Sequence, residues 1–171
     1  PGPPRLGAGP ATGPATGVTT DVTTDVTTDV TTGVTASIEQ PSPATVAAYR
    51  STRYRVVADG GATVLVIGAR DGRLERWLAG LGARSATIVT ACNPFGQRTA
   101  DAANATALAQ LRRALRAANL MTLPSSNEDP SGRWPAELGW CVFDASPRQV
   151  DRWLLEFRQH AAVRLAIGRA C

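Results

Sequence analysis

Residues 63–90 read TVLVIGARDGRLERWLAGLGARSATIVT, and this stretch decides the class of fold. Thr63 to Ile67 is a short run rich in β-branched residues, the composition of a half-buried strand. Gly68 to Gly72 breaks it. Leu74, Trp77, Leu78 and Leu81 then recur at the spacing of one helical face, so the segment is a helix that buries one side. Gly82 ends that pattern, and Ala86 to Thr90 is strand-like again. A strand, a one-faced helix and a second strand require a sheet for the helix to cover, which makes the class α/β.

Working outward, Arg53 to Val57 precedes Asp59-Gly60-Gly61, so this segment and Thr63 to Ile67 read as a hairpin with a glycine turn. Downstream, Asp101 opens a longer helix striped by Leu108, Leu111, Leu115 and Ala118. Leu120 to Leu123 and Leu138 to Phe143 are strands. Ser146-Pro147 caps and primes another helix, with Val150, Trp153, Leu154 and Phe157 on its apolar face, and Val163 to Ile167 closes as a strand. The order is ββαβ, helix, ββαβ. It predicts a single mixed sheet of about six strands covered by about three helices, with right-handed parallel crossovers; α+β is the alternative class. Leu111, Leu115, Trp153 and Phe157 are the expected core.

The first 43 residues have a different texture. They begin with Pro, Gly, Ala and Thr, then repeat Val18-Thr-Thr-Asp21 through Asp25 and Asp29 to Val30-Thr-Thr-Gly33. A period of four matches neither strand nor helix and builds no apolar face, so residues 1–43 are expected to be a disordered low-complexity tail before one globular domain at 44–171. The repeats lack the glycine turns and clustered carboxylates of calcium loops. No run approaches the roughly 18 apolar residues that span a bilayer, and no charged-then-apolar leader opens the chain. The expectation is a soluble cytoplasmic protein without a membrane partner.

All 18 basic residues are Arg, one of them among residues 1–40 against four acidic residues, and 17 beyond against ten. That surplus suits phosphates or acidic surfaces, but no nucleic-acid motif accompanies it, so nucleic acid is not the expected partner. Cys92, Cys141 and Cys171 include no CxxC pair, which argues against a disulfide framework or zinc site. No cofactor is indicated.

Strand direction locates the polar chemistry. If the strands at 63–67, 86–90 and 120–123 run upward, their following loops open at the top, and the hairpin partners and the last strand start there. Tyr49, Arg53, Arg70, Asp71, Asn93, Gln97, Ser125 to Asp129, Glu137, Gln159 and His160 therefore collect at one edge, where open α/β sheets bind ligands. Asn93 stands where Pro94 stops a strand, and Asn104 puts an amide on the Leu108 stripe; buried amides need partners. They either tie the loop to its helix or contact a ligand, with free N–H groups at the helix start suiting an anion. Trp134 fixes the approach of Glu137 to the sheet. The lone histidine, His160, excludes a histidine-rich metal site, and no metal ligands are proposed.

Four segments together resemble the bacterial domain of unknown function numbered 3293: Tyr49-Arg-Ser-Thr-Arg-Tyr54; Thr90-Ala-Cys-Asn-Pro94 with Asn104; Trp134-Pro-Ala-Glu137; and Phe157-Arg-Gln-His-Ala161. The likeness spans about Tyr49 to Ile167 and implies no particular activity. A large aromatic is usual in that family where Cys92 stands, which argues against Cys92 as a required nucleophile; Gln159 is the more regular neighbour of His160. Asn93, Asn104, Glu137, Gln159 and Arg53 are the candidate ligand-binding residues. Two functions fit them. One is a binding domain for a small anionic molecule or a protein; the other is a hydrolase or transferase using Glu137 with Asn93 and Asn104.

Overall fold

The computed structural model describes residues 19–23, 41–58, 61–68 and 72–166. Its sheet has strands β1 (Thr19–Thr23), β2 (Arg53–Ala58), β3 (Gly61–Leu65), β4 (Ser85–Val89), β5 (Thr122–Glu128), β6 (Glu137–Phe143) and β7 (Ala162–Ala166). The helices are α1 (Pro43–Ser51), α2 (Gly72–Gly80), α3 (Asp101–Ala117) and α4 (Pro147–Glu156). The α/β class stands.

The lateral order is β1-β7-β4-β6-β5-β2-β3. Every neighbouring pair is antiparallel, which corrects the expected mixed sheet. The strand directions nevertheless follow the expected pattern: β3, β4 and β5 run one way, and β2, β6 and β7 the other. Each of α2, α3 and α4 does connect strands of one direction, but opposed strands lie between them. Thus α3 carries the chain from β4 to β5 over β6, and α4 carries it from β6 to β7 over β4.

Both faces of the central strands are covered. Ile88 and Cys141 pack with Leu74 and Leu78 of α2 and with Tyr54, Val56 and Leu65. Their successors Val89 and Val142 pack on the opposite face with Leu111 and Leu115 of α3 and Val150, Trp153 and Leu154 of α4. The period of two therefore survives in β4 and β6 although all of β4 is buried. Leu111, Leu115, Trp153 and Phe157 all lie in the core as expected.

Three further differences have local causes. Helix α1 gives no periodic signal, because no residue in it is buried and it has no apolar stripe; its signals are Ser42, whose Oγ accepts from Thr45 N at 3.1 Å, and Pro43 at the first helical position. Strand β5 continues to Glu128, so residues expected as a loop are paired: Ser125 to Asn127 with both β2 and β6, and Glu128 with β2. Within the expected tail, Thr19–Thr23 forms β1 and pairs with β7. An antiparallel edge needs backbone partners rather than an apolar face, which is why periodicity does not reveal it. The hairpin is present, with Ala58 opposite Gly61; its turn at Asp59 and Gly60, together with Arg70, Asp71, Ile167 and Cys171, lies outside the described residues. Cys92 and Cys141 are buried free thiols. No helix among the described residues is long and apolar enough to cross a membrane.

Candidate functional site

Strand β4 ends beside β6, and Thr90 manages the exit. Its Oγ1 donates to Leu138 O at 2.7 Å and accepts from Cys92 N at 3.1 Å, replacing the next rung of the ladder. The turn that follows is tight: Asn93 and Phe95 adopt left-handed conformations, with φ of 49° and 52°. Asn tolerates that region better than most side chains. Pro94 cannot continue the strand. Phe95 N donates to Arg158 O at 2.8 Å, and Gln159 Nε2 donates to Cys92 O at 3.0 Å and to Phe157 O at 3.1 Å, so the end of α4 clamps the turn.

Asn93 is the hub. Its backbone N–H donates to Asn104 Oδ1 at 2.9 Å. Its Oδ1 accepts from Thr99 N at 3.0 Å and from Asn104 Nδ2 at 3.2 Å. Its Nδ2 donates to Glu137 Oε1 at 2.7 Å. The amide orientation is forced, because a backbone N–H can only donate and an ionised carboxylate can only accept. Trp134 Nε1 donates to the same Glu137 oxygen at 2.9 Å. Trp134 is itself fixed, with its N–H on Asp129 Oδ2 at 3.1 Å and the Arg98 guanidinium 4.9 Å above its ring. Asp129 is held below the usual carboxylate range by hydrogen bonds, first from the Ser131 hydroxyl and then from backbone N–H groups. It serves as the knot of this loop.

Above Glu137 lies a cavity of about 440 Å³. Thr45, Ala48 and Tyr49 of α1 form one wall, Phe95 and His160 another, and Trp134 a third; Tyr54, Ile88 and Val163 are among the residues at the sheet side. The Tyr54 hydroxyl donates to Tyr49 O at 2.9 Å, tying α1 to the sheet. Phe95 and His160 stack with centroids 5.3 Å apart. Burial, then the charge of Glu137, pushes the Tyr49 phenol up to about 12. Tyr54 is raised chiefly by burial, and so is Cys92, with Glu137 adding to both. All three are held protonated at neutral pH, chiefly by burial.

The structure brings Asn93, Asn104, Glu137 and Gln159 together, although residues of β4, β6, α3 and α4 regions had to converge for it. Asn93, Glu137 and Gln159 line the cavity, whereas Asn104 does not and acts by fixing Asn93. The start of α3 likewise lies off the cavity wall, so its N–H groups are not placed for an anion there. Arg53 is a correction: it is exposed opposite Glu128, and strand alternation turns it away from the face that carries buried Tyr54. His160 is a half-buried wall residue of the cavity. Sequence reasoning put Tyr49 and the Ser125 to Asp129 segment at this edge but missed that Tyr49 belongs to a helix, α1, and did not single out Asn127; the Ser42-Pro43 helix start could have announced the former. Among the described residues no group of three or more His, Cys, Asp and Glu is arranged to hold a metal ion.

A layered antiparallel α/β domain with a carboxylate-based cavity at one sheet edge is thus the class that fold and site define. The family described as "Protein of unknown function (DUF3293)" matches residues 89–162, from the end of β4 to the start of β7, and supports a DUF3293 assignment for that stretch. The matched stretch contains Asn93, Asn104, Glu137 and Gln159 and stops short of Tyr49 and Tyr54. No curated protein and no solved structure matches the chain.

Proposed function

We propose that the domain is a binding module for a small organic molecule that enters the cavity beneath α1 and donates a hydrogen bond to Glu137. The observation that carries this reading is the state of that carboxylate. Oε1 is fixed by Asn93 and Trp134, while Oε2 takes no hydrogen bond from any described residue, at the wall of a cavity large enough for a metabolite. A fixed acceptor bearing a negative charge selects donors and repels anions, so the reading departs from the anionic ligand expected from composition. Aromatic walls at Tyr49, Phe95 and Trp134 add apolar contact. Catalysis by a nucleophile is disfavoured, because the Cys92 thiol and Tyr49 phenol are both held protonated. The buried free thiols suit the reducing cytoplasm inferred from the sequence.

The test is a thermal-shift screen of amines, nucleosides, neutral polar metabolites and phosphorylated metabolites, run on the native chain and on Ala48→Trp, which fills the cavity from α1. A ligand present at 100 times its Kd stabilises by about 2.7 kcal/mol. Shifts from N–H or O–H donors that vanish in Ala48→Trp are expected. Shifts confined to phosphorylated compounds, or unchanged in Ala48→Trp, would overturn the reading.

A further inference from the structure

Tyr54, Asn127 and Glu137 are register partners across β2, β5 and β6. A cross-strand row of this kind places its Cβ atoms on one face, about 5 Å apart between neighbours. All three line the cavity. Asn127 Oδ1 is buried and has no hydrogen-bond partner. Beside it, Glu137 spends Oε1 on Asn93 and Trp134 and leaves Oε2 for the cavity. Two neighbouring acceptors, one charged and one an orphaned carbonyl, therefore face the same space. Buried acceptors are rarely left unpaired, so the occupant is expected to bring donors to both. Arg133, also at the cavity, has Nε on Ser131 Oγ at 3.0 Å and lies exposed toward the rim.

We infer that the cavity recognises a planar N–H-rich cation, an amidinium or guanidinium, with one N–H on Glu137 Oε2, another on Asn127 Oδ1 and its plane against the aromatic walls. This rests on the cavity being a ligand site. A planar cation meets each requirement of the row: parallel N–H groups span neighbouring acceptors, its charge answers Glu137, and its flat face stacks on aromatic rings. An ammonium offers the charge without the plane. A neutral amide offers the plane without the charge.

Isothermal titration of the full chain with benzamidine, benzamide and benzoate separates these features within one shape. Benzamidine should bind at least tenfold tighter than benzamide, and benzoate should not bind. Glu137→Gln keeps an oxygen for Asn93 and Trp134 while turning a donor toward the cavity, and should weaken benzamidine at least tenfold; Asn127→Ala should weaken it several-fold. The comparison of the three probes on the native chain needs no variant and decides the matter even if a variant fails to fold. Benzamide or benzoate binding as tightly as benzamidine overturns the inference, as does no benzamidine binding at millimolar concentration. In either case, a screened compound whose binding is lost in Ala48→Trp leaves the cavity standing as a ligand site of another class. Benzamidine binding that Ala48→Trp does not affect places the site elsewhere and overturns both readings.

Discussion

Asn93→Asp changes one group and puts a charge where the site is least able to take it. Asp tolerates the left-handed backbone of position 93, and one of its oxygens can still accept from Thr99 N and Asn104 Nδ2. The other oxygen replaces the donor that stood 2.7 Å from Glu137 Oε1. Two unit charges at that distance repel by about 6 kcal/mol at an effective dielectric constant of 20. Protonating one carboxyl at pH 7 costs about 4 kcal/mol, given an ordinary pKa near 4, and this cheaper route caps the penalty. Partial exposure of Glu137 brings the expected loss to about 2–3 kcal/mol.

The sign of the pH dependence follows from the shared proton. The coupled pair holds it in the folded state above the ordinary carboxylate range and releases it on unfolding, so the folded state binds more protons from about pH 4 up to the raised pKa. The variant's deficit relative to the native chain is therefore small below about pH 4. It grows by up to about 1.4 kcal/mol per unit as pH rises through that window. Urea unfolding of both chains between pH 4.5 and 7.5 measures it. A deficit independent of pH, or below about 0.5 kcal/mol at pH 7.5, would refute the Asn93–Glu137 contact and the site built on it.

Gly139→Ala should cost about 2–3 kcal/mol, since its Cβ would stand 2.5 Å from Val89 O, a backbone atom of the neighbouring strand, and 3.2 Å from Ser125 Oγ; a chemical-denaturation midpoint equal to that of the native chain would show that β4 and β6 do not approach so closely. Phe157→Ala should cost about 3–5 kcal/mol, because the ring is buried at the end of α4, and a loss under about 1 kcal/mol would place that helix face in solvent. Deleting residues 1–18 should leave the melting transition within about 1 °C. Deleting residues 1–24 removes β1 from the edge of β7 and should lower it by several degrees; equal transitions for the two truncations would show that β1 contributes nothing to the sheet.

How far the sequence leads is set by which quantities are local. Whether a strand runs up or down depends on the hairpin or helix that connects it to its predecessor, and both are visible as glycine turns and apolar stripes. That Asn93, Glu137 and Gln159 share one edge needs only those directions, so it is readable without knowing which strands touch; that they meet there depends on the neighbours. The neighbours themselves are a tertiary outcome: β6 inserts between β4 and β5, and β4 between β6 and β7, because each crossover helix passes over the strand it skips. No residue in α3 or α4 records that choice. Arg53 shows the opposite limit. It lies at the right edge, but an error of one position in strand parity exchanges the two faces, and Tyr54 rather than Arg53 points to the cavity.

The same distinction explains why a cavity exists at all. Helix α1 has a side-chain cap, a proline at its first position and basic Arg50 in its last turn, yet buries no residue. Such a helix forms through local signals and has no apolar face with which to seal itself onto the sheet. The Tyr54 hydroxyl tethers it through Tyr49 O, and the half-buried Tyr49 ring stands where a core leucine would otherwise close the gap. A helix that packed like α3 would have filled the space with side chains and covered Glu137. Held by its caps and one phenol, α1 instead forms the wall of a chamber in which Glu137 Oε2 and Asn127 Oδ1 stand without protein partners among the described residues. The composition that hides α1 from a reading based on periodicity is therefore the same composition that leaves room for a ligand.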